Sequence, residues 1–368
     1  VSETQESGPA GAPQPEDAPA PRRGLIGRVK AWAERHKTLL WWLHSFYALG
    51  LGVMVILFAQ KGFGHARVLA ATLGGVVIVM LILFRVFGHG DVQRERVDQS
   101  TKSKVRFILF TYVLKNLYQP MLFFVLPFYW KASSLDSVNG WFIFLLGTMA
   151  FISTMDLIFD QFLVRFRAVA ATYYGITLFA CINLVIPAFF PNLPTLVTLL
   201  ASAGVSVLGF WLLHFPLRRL LERRSWLALG VSIAAFMTLV YVGRRVIPPV
   251  PLYVQSAAIG DYILDDGRLA VELVRVHTSR LTDLYAVTEV ALPGGEGDTL
   301  HHVWRHRDGR FAHPARTTRS EGLSPGTVRL SSALQLVSLP NPAVGRWTVD
   351  VMTQDGQLVG RARFEVIE

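Results

Sequence analysis

The chain has 368 residues, 52% of them hydrophobic and only 17% charged, with a mean hydropathy of +0.38 and a formal net charge of +10. That balance is too apolar for an ordinary soluble protein, and the charge is unevenly placed: residues 1–249 carry 24 Lys and Arg against 12 acids, and residues 250–368 carry 12 Arg and no Lys against 14 acids. The basicity therefore flanks apolar runs and suits a lipid bilayer, so a nucleic-acid partner is not expected, and the single cysteine, Cys181, permits neither an internal disulfide nor a cysteine-based zinc site.

In chain order, residues 1–21 are rich in Pro, Ala and acids and hold one large aliphatic, Val1, which predicts a disordered tail. Residues 22–37, "RRGLIGRVKAWAERHK", set six basic side chains beside Leu25, Ile26, Val29 and Trp32. This basic amphipathic juxtamembrane segment suits an anionic lipid surface, or else is a solvated lead-in to a first span. No cleavable signal is expected, because the first apolar run begins far into the chain and is long.

Seven apolar runs follow, at 38–59, 66–87, 106–130, 139–164, 167–190, 194–217 and 225–246. Each reaches the roughly 20 residues needed to cross a hydrocarbon core, where backbone amides must be bonded internally. The expectation is a seven-helix transmembrane domain over 38–246, with Trp41, Trp42, Tyr129, Trp130, Trp141 and Trp226 as interfacial anchors. With the N-terminus cytoplasmic, inside segments 22–37, 85–106, 165–167 and 218–224 hold 18 Lys and Arg, and outside segments hold five. That bias, with an odd number of crossings, predicts a bacterial inner-membrane protein with a periplasmic C-terminal domain.

The linker 247–251 closes "RRVIPPVP" (244–251), whose prolines predict an extended, stiff spacer. Residues 252–368 then alternate β-rich runs with turn signals. The runs are "LYVQSAAIGDYI", "RLAVELVRV", "DLYAVTEVAL", "TLHHVWRHR", "RFAHPART", "VRLSSALQLV", "RWTVDVMT" and "LVGRARFEVIE". Asp266-Gly267, Asp308-Gly309 and Asp355-Gly356 are favoured two-residue hairpin turns. Seven or eight short strands over 117 residues predict an all-β sandwich of immunoglobulin-like size.

The most chemically loaded stretch is "TLHHVWRHRDGRFAHPART", 299–317. A turn at Asp308-Gly309 sets His306 opposite Phe311 and Trp304 opposite His313, so His302, Trp304, His306 and His313 share one face, a possible ligand face of the sandwich. Imidazoles suit zinc or copper. However, His302 and His306 lie roughly 13 Å apart along a strand, and a tetrahedral ion needs ligands about 2 Å away. His306 and His313 remain weak candidates, with no nearby acid to complete a set, and structural histidines are the favoured reading. Trp304 and Trp347 likewise fit core anchors better than sugar platforms.

"LHHVWRHRDGR" (300–310), "VRLSSALQL" (328–336) and "GRWTVDVMTQDGQLVGRARFEV" (345–366) resemble a bacterial C-terminal family, the domain of unknown function 2914. Its pattern falls on His302 and Trp304; on Arg329, Ser331 and Ser332; on Gly345, Trp347 and Val349; and on Phe364 and Val366. The resemblance spans most of 252–368, and the membrane half resembles the integral-membrane domain accompanying that family. It implies architecture and transfers no catalytic residue.

Within the expected spans, Lys115 in the third and Asp156 and Asp160 in the fourth form an intramembrane polar cluster. Lys115 and Asp156 sit roughly 12–14 Å from the inner helix ends, matched in depth across a helical hairpin. A structural ion pair accounts for that matching, and a proton- or ion-coupled transporter or a membrane enzyme using Lys115, Asp156 and Asp160 is the alternative. His44 and Asn183 are weaker candidates. The sequence holds no Walker loop, zinc-protease motif or nucleophile elbow, and "GDYILDDG" lacks the ligand order of a calcium loop. The expectation is a non-enzymatic envelope protein without cofactor, binding, scaffolding or sensing through a protein or glycan partner; a metal-binding module is a further alternative.

Overall fold

The computed structural model describes residues 121–155, 167–215, 222–294, 296–309, 311–322, 324 and 326–368, together with Gly50, Gly74 and Gly75. The tail, the basic stretch 22–37, nearly all of the first two expected spans, His44, Lys115, Asp156 and Asp160 lie outside the described residues.

The helical part contains α1 (Met121–Lys131), α2 (Gly140–Thr154), α3 (Arg167–Phe189), α4 (Thr195–His214) and α5 (Arg223–Val242). Among the described residues, three stretches are long and apolar enough to cross a membrane: Thr172–Phe189, Thr195–Leu212 and Arg223–Arg245. Leu122, Tyr129, Leu146, Cys181 and Leu199 fill the core between helices. On α5, Leu227, Val231, Leu239 and Val242 are each more than 60% exposed.

Two expectations are corrected here. The run 139–164 is not one continuous helix: α2 stops at Thr154, and Met155 is extended. Ser153 and Thr154 donate their hydroxyls to Ala150 O and Phe151 O, a local bonding that competes with the helical ladder. The proline-rich linker is not an extended spacer either. Residues 247–252 are buried in a compact turn, with Val250 N donating to Pro248 O and Leu252 N to Pro249 O, because Ile247, Val250 and Leu252 are apolar enough to pack.

Among the described residues the β domain has nine strands: β1 (Tyr253–Gly260), β2 (Arg275–His277), β3 (Leu284–Ala291), β4 (Leu300–His306), β5 (Ala312–Ala315), β6 (Thr317–Glu321), β7 (Thr327–Leu334), β8 (Gly345–Thr353) and β9 (Leu358–Ile367). They form two sheets, ordered β1-β3-β7-β6 and β2-β9-β8-β4-β5. All pairs are antiparallel except β2 with β9. This is the strand order of an immunoglobulin-type sandwich, with short edge strands added to the second sheet. Ile259, Leu284, Ala286 and Leu334 of the first sheet meet Trp304, Trp347, Val349, Ala362, Phe364 and Val366 of the second.

The expected hairpin is present: Trp304 pairs with His313, His306 N donates to Phe311 O, and Gly309 takes φ +73°. The run expected as one strand over 310–317 instead crosses between sheets, β5 joining β4 and β6 joining β7. Pro314, which has no amide proton to give, sits on the edge strand β5. The run 268–276 becomes a strand only at β2. Residues 261–274 form an excursion pinned by an Ile263–Leu269 bridge, with Gly267 turning at φ +76° against the Arg329 side chain.

Candidate functional site

Strand β4 carries His302, Trp304 and His306 of the possible ligand face. Alternation turns His302 and Trp304 inward, where both are fully buried. His302 Nε2 lies 2.8 Å from Thr288 Oγ1 and Nδ1 lies 2.7 Å from Ser332 Oγ, while Trp304 Nε1 donates to Ser332 Oγ at 3.2 Å. The imidazole thus bridges the two sheets, and burial pushes its pKa down to about 4. This corrects the expectation of a ligand face: His302 and Trp304 do not reach solvent, because the face they share is the core face.

His306 and His313 are engaged elsewhere. His306 Nε2 bonds Val344 O at 3.2 Å, its Nδ1 lies 3.0 Å from Asp308 without hydrogen-bond alignment, and its ring packs on Trp347. His313 stacks on Phe311. The imidazoles do not converge, and among the described residues no group of three or more His, Cys, Asp or Glu could hold a metal ion. Of the polar residues expected inside the membrane, Asn183 is described: its amide donates to Tyr129 Oη, which donates to Ala180 O.

The densest polar geometry lies instead where the sandwich meets the helices, at three turns. The turn between α1 and α2 (132–139) offers Asp136 to Arg361 at 3.1 Å and to Arg363 at 2.7 Å, and Asn139 Nδ2 donates to Leu358 O. Arg361 also grips Asp350, which is nearly fully buried and takes Arg305 on its other side at 3.0 Å. Burial alone raises the Asp136 carboxyl, but the two arginines outweigh it and hold it below the ordinary carboxylate range.

The turn between α3 and α4 (190–194) receives the β3–β4 loop. Glu296 N donates to Pro191 O, and Gly297 passes so close to Asn192 O that a Cβ has no room. Asp298 then caps α4: its Oδ2 accepts from Thr195 N at 3.0 Å and its Oδ1 faces Thr195 Oγ1 at 3.3 Å. An acid belongs at a helix N-terminus, where unpaired amides carry positive partial charge. Burial nevertheless pushes this carboxyl up to about 6, with Thr195 opposing and Asp355 adding to the rise. At the third turn, after α5, Arg244 Nε donates to Asp355 O, and Gln357 Nε2 donates to Arg244 O and Ile247 O.

None of Asp136, Asp298, Gln357 or Arg361 was marked by sequence reasoning. Each stands in a turn or on an outward strand position, where an acid, amide or arginine is ordinary; the local signals available were the glycines before Asp298.

The pattern residues of the C-terminal resemblance prove structural. Ser332 joins His302 to Trp304, Arg329 pairs with Glu289 at 3.1 Å and donates to Asp266 O, and Trp347, Val349, Phe364 and Val366 are buried. Gly345 takes φ +138° beneath His306, a conformation L residues rarely adopt. Residues 297–366 match a protein family of unknown function, DUF2914, a narrower span than 252–368. No curated protein matches the chain. A second match, over 22–286, carries the helices together with β1, β2 and the start of β3, so the sandwich draws strands from both matched segments. By that longer match, which spans most of its length, the chain belongs to the family of unknown function DUF5924.

Proposed function

We propose that this protein is a seven-span inner-membrane protein of a Gram-negative-type bacterium, with a cytoplasmic N-terminus and its β-sandwich held in the periplasm. There it acts without catalysis, as a binding, scaffolding or sensing module for an envelope protein or glycan. The observation that carries this reading is the commitment of the sandwich's buried polar groups. His302, Arg329 and Asp350 are spent inside the β domain, whereas Asp136, Asn139, Asp298 and Gln357 seat it on three helix ends. Such an arrangement orients a domain rigidly and leaves its far loops and edges for a partner.

A bilayer around the helices is supported by α5, whose exposed Leu227, Val231, Leu239 and Val242 form the kind of apolar surface that water-facing proteins avoid. The three seating turns fall on the segments that charge counting assigns outside, and Arg167 at the start of α3 and Arg223 and Arg224 at the start of α5 fall at the opposite helix ends. The Lys115–Asp156 pairing stays within this proposal as a structural lock, with Asp160 one turn on.

Reporter fusions test the arrangement. Alkaline phosphatase joined after Glu368 is expected to be active and green fluorescent protein there dark; the reverse result sinks the periplasmic assignment. Photocrosslinking from Val337, which is 88% exposed, tests partner binding in native membranes. A discrete adduct that disappears when purified sandwich is added in excess supports the reading.

A further inference from the structure

We propose that the sandwich is latched to the helices through a protonated carboxylic acid, Asp298, so that its seating tightens as the surrounding pH falls. This goes beyond the functional reading above and holds on whichever side of a membrane the sandwich lies.

Thr195 Oγ1 lies 3.3 Å from Asp298 Oδ1 and 3.2 Å from Gln357 Oε1. The orientation of the Gln357 amide is fixed, because Nε2 donates to two backbone carbonyls, Arg244 O at 3.3 Å and Ile247 O at 3.1 Å. Turning it would aim an oxygen at both. Two acceptor oxygens therefore claim the one proton of a hydroxyl. With Asp298 ionised, one of them is left wanting in a buried place, which is costly. A proton on Asp298 Oδ1 completes the chain: Oδ1–H donates to Thr195 Oγ1, Oγ1–H donates to Gln357 Oε1, and Oδ2 keeps the Thr195 amide.

The surroundings favour that state. Asp298 is 5% exposed. Of the charged groups on the packed elements, Asp355 on the β8–β9 turn repels a carboxylate, and Glu296 lies on the same loop. Arg244 is committed to Asp355 O, Tyr241 O and the Tyr241 ring, and Arg245 reaches toward Gly356. The first turn of α4, Thr195–Thr198, contributes no charge.

The seated carboxyl titrates near 6, against 3.8 when free. A raised acid favours the seated state fully below the lower value and loses that advantage as pH rises through the upper one. The seating constant therefore changes tenfold per pH unit across the window, roughly 100-fold in all.

Hydrogen exchange on the full chain in nanodiscs tests this, with rates corrected for intrinsic pH dependence. Protection at the Thr195 amide and across residues 353–357 is expected to be level from pH 8 to about 6 and then to rise about tenfold per unit toward pH 4. Asp298→Asn places an N–H donor where the acid proton would sit, so that variant should be protected at every pH. A flat wild-type profile, or a pH dependence unchanged in Asp298→Asn, overturns the latch. Should the variant not fold, infrared spectroscopy of the wild type decides. A carboxylic-acid carbonyl band growing in with a midpoint near 6 supports the proposal, and its absence refutes it.

Discussion

At the scale of single residues, His302 is a structural group whose chemistry is consumed by its neighbours. His302→Ala removes a buried ring, takes the imidazole partner from the Thr288 hydroxyl and leaves Ser332 Oγ with Trp304, so it should cost the sandwich about 2–4 kcal/mol. Urea unfolding followed by tryptophan fluorescence measures this, since Trp304 and Trp347 lie in the same core. The depressed pKa of His302 has a sign of its own. The folded ring resists protonation down to about 4 while the unfolded ring accepts a proton near 6.5, so stability is complete above 6.5 and declines below it. The expected slope between those values is about 1.4 kcal/mol per pH unit in the isolated sandwich, and it should vanish in His302→Ala. Isolation matters, because removing α4 silences Asp298, whose contribution has the opposite direction.

At the scale of elements, the outer face of β8 and β9 separates an internal clamp from a seating contact. Asp350 is buried between two arginines, so Asp350→Ala leaves Arg361 half-buried and short of a partner; the expected loss is about 3 kcal/mol of sandwich stability. Asp136 is partly exposed, so Asp136→Ala should cost under about 1 kcal/mol of sandwich stability yet raise exchange in the 132–139 turn. Thermal unfolding of each variant, with exchange read at both places, checks the division. Most strands were legible beforehand, because strand alternation and Asp-Gly turns are local properties; the Trp304–His313 register followed from the turn alone. The 261–274 excursion was not legible: "RLAVELVRV" has the composition of a strand, and only the presence of β9 beside residues 275–277 decides which part of it pairs.

At the scale of the whole molecule, the two matched segments do not coincide with folding units. Residues 297–366 alone lack β1, β2 and β3, and with them Ile259, Leu284 and Ala286 of the shared core. That fragment should show no cooperative unfolding transition in calorimetry, whereas residues 252–368, which hold both sheets, should show one. The same view explains how the chain orients its β domain. Three successive helix ends each give the sandwich a polar foothold, and the buried turn at 247–252 removes the slack that an open linker would leave.

The sequence by itself determined the division into an apolar helical part and a β-rich part, the strand rhythm, the hairpin register and the core identity of both tryptophans. All of these depend on local periodicity or on composition, which a linear pattern records. Only the tertiary structure decided that His302 lies inside rather than outside, that the proline-rich linker is folded, and that Asp136, Asp298 and Gln357 bind one domain to the other. Those outcomes depend on which residues, as many as 225 apart in the chain for Asp136 and Arg361, come within hydrogen-bond reach of each other, and no local pattern encodes that distance.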